Sequence, residues 1–522
     1  MGRIRDAWAV LTGSWGWRGG VRPSTGLYDG QKIRGALRRT YEPMVGLDHD
    51  SLREHTRRAY WDSTQARALL NRIADNTIGT GLELEAAPAW EIIKSNMTPA
   101  ERRAWSREVE LRFWLWANTT EADEQGMRAL PELQAFAFIN ELRDGEVLAI
   151  LRYEGNLSRL SPISMQFIDP EQIGPLTLGA TNEAAIVARG NVYHEGFETT
   201  KTGRPVAVWL QDPDTREVTR VPFFGESGRR FVIHAAITDL PGQIRGVSPL
   251  APVIHEIKKL TDYQLAEIEA AVINAVFAAY IKPSAENDTR TNLQAAIGGG
   301  ARLRSSEGGA DTSPRTSTEI RLDKPGMILS TLKAGEDLAS FDTKRPNVNF
   351  GEFVKAVLRS ISAALSIPVE VLEMSFNANY SASRAALIQF WMTIDKWRAH
   401  FAAQFLQPLY ESWFAEEVKA GRINAPGFNG PLPIIRRAWL ATDWIGQSMP
   451  SIDPLKDANA DNVRIEQGAT TRERVAQKYN GSDFYDNAER QAREREAMPA
   501  PSPEAPREPA QPPREQEEET EE

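Results

Sequence analysis

Metal, nucleophile and phosphate chemistry each need a few residue types at fixed spacings, and this sequence supplies few such groupings. It has no cysteine and six scattered histidines, which removes disulfides and thiolate metal sites and fits synthesis in a reducing place. His255-Glu256 has no second histidine four residues on, so the helical zinc motif is absent. No G-x-x-x-x-G-K-[ST] loop is present to cradle a nucleotide phosphate. Ser381 and Ser383 stand beside Arg384 without a nearby His or Lys, which suits turn and cap roles better than a nucleophile. The expected complement is therefore no catalytic residue, no cofactor and no metal. What remains is an uncharged polar run, Ser375, Phe376, Asn377, Ala378, Asn379, Tyr380 and Ser381, continuing through Ala382 to Ser383, with Glu373 before it and Arg384 after it. Its hydroxyls and amides make weak hydrogen bonds, and its two aromatic rings offer flat apolar contact.

Two helices must position that run. Phe353, Val357, Ile361 and Leu365 recur at helical spacing from Phe350, and Pro368 ends the pattern near Ser366 because the residue before a proline is pushed out of the α region. A second stripe, Leu387, Trp391, Ile394, Trp397, Phe401, Phe405, Leu409 and Trp413, predicts a longer helix with Ser383 as its N-cap. Such a stripe is more often core or subunit interface than a base-stacking platform.

Upstream, helices are expected over Ser51–Ile78, Thr98–Trp116 and Leu130–Arg143, the second opened by the capping box Thr98-x-x-Glu101. After the Asp144-Gly145 turn come strand candidates Glu146–Tyr153, Ser164–Ile168, Ala185–Val187, Val192–Tyr193, Pro205–Leu210 and Phe231–Ile237, closely spaced enough for an antiparallel sheet. Pro249–Ile281 reads as one long helix with Ser248 as N-cap, about 48 Å at 1.5 Å per residue. Residues 284–326 are loop-rich, Gly421–Pro450 reads as connection, and three short helices follow to Arg495. The Pro- and Glu-rich end, Pro499–Glu522, should be disordered.

With 522 residues, 41% hydrophobic and 25% charged, the chain predicts two to four domains of ordinary globular composition. The longest apolar run, Ala270–Ile281, contains Asn274 and is too short to span a bilayer, and Arg3 and Arg5 precede too short an apolar stretch for a secretion signal. No membrane association and no secretion are expected. A net charge of −10 argues against gripping nucleic acid through many phosphates, yet charge is uneven: residues 1–72 carry +6 and Pro499–Glu522 carry −6. The basic end is either a solvated arm or one that meets DNA or an acidic partner.

Several stretches together resemble the lambda-type bacteriophage portal proteins. They are Gly246-Val247-Ser248-Pro249-Leu250 opening a helix, Pro325-Gly326-Met327-Ile328 followed by Leu332 and Ala334-Gly335-Glu336, Phe350 to Pro368, Asn379-Tyr380-Ser381-Ala382-Ser383-Arg384, and Ile452-Asp453-Pro454-Leu455-Lys456. Their order and spacing match the family over roughly residues 40–490; Ala382 departs from the second serine of many members. The resemblance implies an α+β, portal-like fold with a mixed wing domain, long stem helices, a small loop-rich clip and a helical crown. It divides the chain into a basic N-terminal arm (1–45), wing (46–245), stem helix (246–283), clip (284–345), second stem helix and tunnel loop (346–383), long wing helix and connection (384–450), crown (451–498) and acidic tail (499–522). It further implies a ring of about twelve copies at one capsid vertex, passing double-stranded DNA without sequence preference, with Ser375–Ser381 as the loop facing DNA. The implied partners are the large terminase subunit, the major capsid protein and head-tail adaptor proteins, in the virion and, during assembly, in the host cytoplasm. A non-conducting phage adaptor or baseplate ring, or a DNA-packaging enzyme, are the alternatives; the missing phosphate loop counts against the enzyme.

Overall fold

The computed structural model describes residues 49–155, 158–175, 178–276, 280–283, 336–339, 350–374, 380–449, 453–480, 482 and 484–498. The readings of the N-terminal arm, nearly all of the clip and the acidic tail fall outside them. In chain order, helices α1 (His49–Asp62) and α2 (Thr64–Thr77) come first. The single helix expected from Ser51 to Ile78 is interrupted at Ser63, whose hydroxyl accepts from the Ala66 N–H and so caps a new helix midway. Strand β1 (Glu83–Ala86), the short α3 (Trp90–Ile93) and α4 (Pro99–Ala117) follow. The capping box forms as expected: Glu101 N–H donates to Thr98 Oγ1 at 3.3 Å, and Thr98 N–H donates to Glu101 Oε2 at 2.6 Å. Helix α5 (Leu130–Asp144) ends on Gly145, whose φ of 88° is open to glycine at little cost.

The β-rich stretch holds β2 (Glu146–Tyr153), β3 (Ile163–Ile168), α6 (Ala180–Ala188), β4 (Val192–His194), β5 (Phe197–Thr199), β6 (Pro205–Gln211), β7 (Val218–Pro222) and β8 (Val232–Ala236). Ala185–Val187, expected as a strand, lies instead in α6. Three apolar residues cannot distinguish the two periods, and the alanines on either side favour helix. Next come α7 (Ile254–Val276) and the pair β9 (Tyr280–Pro283) and β10 (Glu336–Ala339), antiparallel to each other. The expected helix to Ile281 is therefore too long at both ends. Ser248 accepts from the Leu250 N–H to set a turn before α7 begins, and Tyr280-Ile281 before Pro283 favours extended backbone. The helix of 23 residues spans about 35 Å.

The remaining elements are α8 (Phe350–Ala364), α9 (Val369–Glu373), α10 (Tyr380–Phe401), a π-turn (Ala402–Leu406), α11 (Gln407–Lys419), α12 (Pro433–Trp439), β11 (Thr442–Ile445), α13 (Pro454–Glu466), α14 (Arg472–Asn480) and α15 (Phe484–Ala497). Gly421–Pro450, expected as connection, thus contains α12 and β11, the latter paired antiparallel with β1.

The chain divides into two compact units. The first takes residues up to Thr77 and Trp116–Asn424. Two antiparallel sheets, ordered β3-β2-β8 and β4-β5-β6-β7, share a core of Leu148, Ile173, Phe197, Val208, Val232 and Ile244. The long aromatic stripe is core: Phe401 stacks on Phe405 at 5.1 Å and meets Phe138 of α5 at 5.3 Å, while Phe405 stacks on Phe167 of β3. The second unit takes Ile78–Leu115 and the chain from Ala425 on. There Trp90, Trp105 and Trp439 cluster with centroids 4.9–5.5 Å apart, and Asp461 of α13 accepts from Lys478 of α14. The fold is α+β, with helices and antiparallel strands in each unit.

Candidate loop site and a buried charge hub

The chain is led into the polar run by two left-handed residues. Helix α8 ends where Ser366 takes a φ of 56° and the Ile367 N–H turns back to the Ser362 carbonyl at 3.0 Å. Pro368 then stands as N-cap of α9, and Met374 at φ 53° closes it, donating its N–H to Glu370 O. Of the run itself, Ser375, Phe376, Asn377, Ala378 and Asn379 lie outside the described residues, while Tyr380 and Ser381 form the first turn of α10. The helix thus starts three residues before Ser383, the expected cap. Nothing from Tyr380 to Arg384 breaks a helix, and an interior serine costs only a few tenths of a kcal/mol.

The helices around this run carry apolar side chains that the chain itself leaves uncovered. Leu265 and Ile268 on α7, Phe353 on α8 and Met392 on α10 are 50–62% exposed. Ile388, one turn before Met392, shares that outward face. Helices α7 and α8 are joined by Tyr263, whose ring meets Phe350 at 5.5 Å and Phe353 at 5.0 Å.

A second constellation lies at the start of the segment leading to α7. Glu146, the first residue of β2, is fully buried, and Arg245 lies against it with Nε 2.7 Å from Oε1. His234 of β8 donates Nε2 to Glu146 Oε2 at 3.0 Å, and the Gly246 N–H donates there at 3.3 Å. Arg53 and His49 of α1 approach the same carboxylate at 3.9 Å, and His49 Nε2 donates to the Gly246 carbonyl at 2.5 Å. Burial alone would push the Glu146 carboxyl up; Arg245, His234 and His49 hold it well below the usual carboxylate range. Burial pushes the His49 imidazole down to about 4, against the opposing pull of Glu146. Next to this hub, Arg57 forks onto Asp144 at 2.8 Å and reaches Asp169 and Glu171.

With its oxygens engaged by cations and N–H groups, Glu146 is a structural anion and not a general base. Among the described residues no group of three or more His, Cys, Asp or Glu could hold a metal, and no helix is long and apolar enough to cross a membrane. Sequence reasoning missed the hub because its members are ordinary charged residues spread over almost two hundred positions. The available signal was its glycine neighbours, since Gly145 and Gly246 both stood in stretches already singled out.

Comparison with known proteins places these features in context. Residues 34–398 match the family described as phage portal protein, lambda family. The portal protein of Escherichia phage N15 is 24% identical over 434 residues, covering 80% of this chain and 79% of its own length. Portal protein B of Escherichia phage lambda is 23% identical, covering 80% and 78%. Among solved structures, a chain from the neck of an empty gene transfer agent particle aligns with a TM-score of 0.45 at 12% identity, covering 81% of this chain and 91% of that one.

Proposed function

We propose that this chain, which belongs to the lambda family of phage portal proteins, closes into a cyclic ring of about twelve copies, each using one face against a different face of its neighbour. It is a portal protein of the virion, and its family is structural. The observation that carries the ring is the exposed apolar surface on α7, α8 and α10: Leu265, Ile268, Phe353, Ile388 and Met392 are 42–62% exposed in a single chain, on helices of which α7 and α8 pack together through Tyr263.

In this reading α7 and α8 are the stem, residues 284–345 the clip, the helices from Pro454 the crown, and Ser375–Ser381 the loop that meets the duplex. A duplex carries about one charge per 1.7 Å, so a strongly basic wall would hold it fast. A chain of net charge −10 with an uncharged loop lets DNA slide, its Ser, Asn and Tyr groups exchanging weak contacts with phosphates and fixing no register. Packaging would then be driven by the large terminase subunit docking at the clip. Head-tail adaptors would replace it there, with the major capsid protein around the ring.

Replacing Asn377 and Asn379 by Lys tests the loop, because a ring of about twelve copies gains roughly two dozen positive charges toward the phosphates. Rings should form as before while the yield of DNA-filled infectious particles drops. Normal yields from N377K/N379K would show that the loop does not face DNA, and a natural chain that forms no ring in native mass spectrometry would remove the whole reading.

A further inference from the structure

We propose that the crossing of Gly145 and Gly246, clamped by Arg245 on Glu146, is the joint that fixes how many copies close the ring; this rests on the ring reading above. The two glycine backbones touch. A Cβ at Gly145 would stand 2.6 Å from the Gly246 carbonyl carbon, and one at Gly246 would collide with the Gly145 carbonyl oxygen. A side chain at either position would force the two backbones apart. Around the crossing the segment that becomes α7 is tied on every side: Ser248 Oγ donates to Leu142 O of α5 at 2.7 Å, the Val247 N–H donates to Ile237 O at 3.0 Å, and the Ile237 N–H donates to Gly145 O at 2.9 Å. Arg245 adds the longest reach. Besides Glu146, its guanidinium donates to Pro170 O and to Glu195 O, each at 3.2 Å, so one side chain binds β2, the turn after β3 and the β4–β5 turn.

The argument from this geometry to ring number is one of angles. In a cyclic ring of about twelve, neighbours are related by roughly 30°, and in one of thirteen by roughly 28°, so about 2° of play separates them. Apolar side chains are exposed on α7, α8 and α10, and also beside the four-stranded sheet at Val187 and Val192. A neighbour held by both regions senses any rotation between them, and the polypeptide between β8 and α7 passes through the Gly145–Gly246 crossing. A buried ion pair gives little net stability over a well-packed apolar replacement, but its hydrogen-bond geometry is strict. Strict geometry is what a joint with 2° of tolerance requires. Arg245 is thus a positioning residue for ring closure.

Native mass spectrometry of rings assembled from the full chain reads this directly. Arg245→Lys keeps the charge beside Glu146 and loses the fork onto Pro170 and Glu195; Gly246→Ala forces the crossing apart. Each should fold by circular dichroism yet give at least two ring masses separated by one subunit, 58.2 kDa, where the natural chain gives one. Glu417→Gln is the control: Glu417 of α11 is buried and accepts from Arg422 Nε at 2.7 Å, and it belongs to neither the crossing nor the two exposed regions. It should lower the thermal midpoint and leave a single ring mass. A single natural mass for both R245K and G246A, or the same spread in E417Q, overturns the proposal. If one variant does not fold, the other decides; if neither folds, the hub serves the fold itself and the proposal fails. A natural chain without rings removes the functional reading first, and this inference with it.

Discussion

His49 is 5% exposed at the first turn of α1, donates to Gly246 O, and faces Glu146, Arg245 and Arg53, with His234 on the far side of the same carboxylate. Burial lowers its pKa from 6.5 to about 4, so between those values the unfolded chain binds a proton that the folded chain refuses. The stability it contributes is therefore complete above pH 6.5 and lost as pH falls toward 4. Glu146, held below the usual carboxylate range by Arg245 and its histidines despite burial, acts in the same direction at lower pH: its contribution is present above about 4.5 and drains away beneath that. The thermal midpoint of the first unit should drop between pH 7 and pH 4.5, with roughly 3 kcal/mol at stake from His49 by the lower limit. His49→Gln, which keeps an N–H donor without a titrating ring, should flatten that part of the curve. A midpoint in the natural chain that is level from pH 7 to pH 5 would contradict the assignment.

The long aromatic helix shows what changes at the scale of elements. Its stripe from Leu387 to Trp413 was legible because apolar residues recur with a helical period, but the period does not reveal that Ala402–Leu406 takes a π-turn. That turn places Gln404 so that its Oε1 accepts from the Ala236 N–H of β8 at 2.9 Å, while His400 one turn earlier meets the buried Glu141 at 2.7 Å. Gln404→Leu leaves a buried backbone donor without its acceptor and should lower stability by about 1–3 kcal/mol, with hydrogen exchange at the Ala236 amide rising; Gln404→Glu keeps an oxygen there and should lose less. Unchanged exchange at Ala236 in the leucine variant would show that the contact carries no load. The same contrast runs through the fold. The cap at Thr98 and the end of α5 at Gly145 were readable because their signals are local. The β1–β11 pair was not: Glu83–Ala86 and Thr442–Ile445 are four residues each, and only a partner some 360 positions away makes either a strand. The candidate loop was singled out from the two helical stripes beside it and the family resemblance, whereas the Glu146 hub depends on contacts between α1, β2, β8 and Arg245 that no local pattern encodes.

For the whole molecule the decisive quantity is charge and where it sits. The last 24 residues hold eight Glu, two Arg and seven Pro with no large apolar side chain to bury against a neighbour. In the proposed ring, closure instead draws on the apolar surface of α7, α8 and α10, which lies wholly upstream. Ending the chain at Ala500 should therefore leave ring mass and ring yield unchanged, while the charge per subunit moves from −10 to about −4. Over the roughly twelve copies of the proposed ring that removes some seventy negative charges, and at 0.01 M salt, where the Debye length is about 30 Å, the truncated ring should retain duplex DNA longer than the full one. Near 0.15 M salt, where the length is about 8 Å, the difference should shrink. Release of labelled duplex from purified rings at the two salt concentrations, with native mass spectrometry on the same samples, measures both effects. Failure of the truncated chain to assemble would give the tail a structural role in the ring, and identical release at low salt would show that its charge acts too far from the channel for the duplex to feel it.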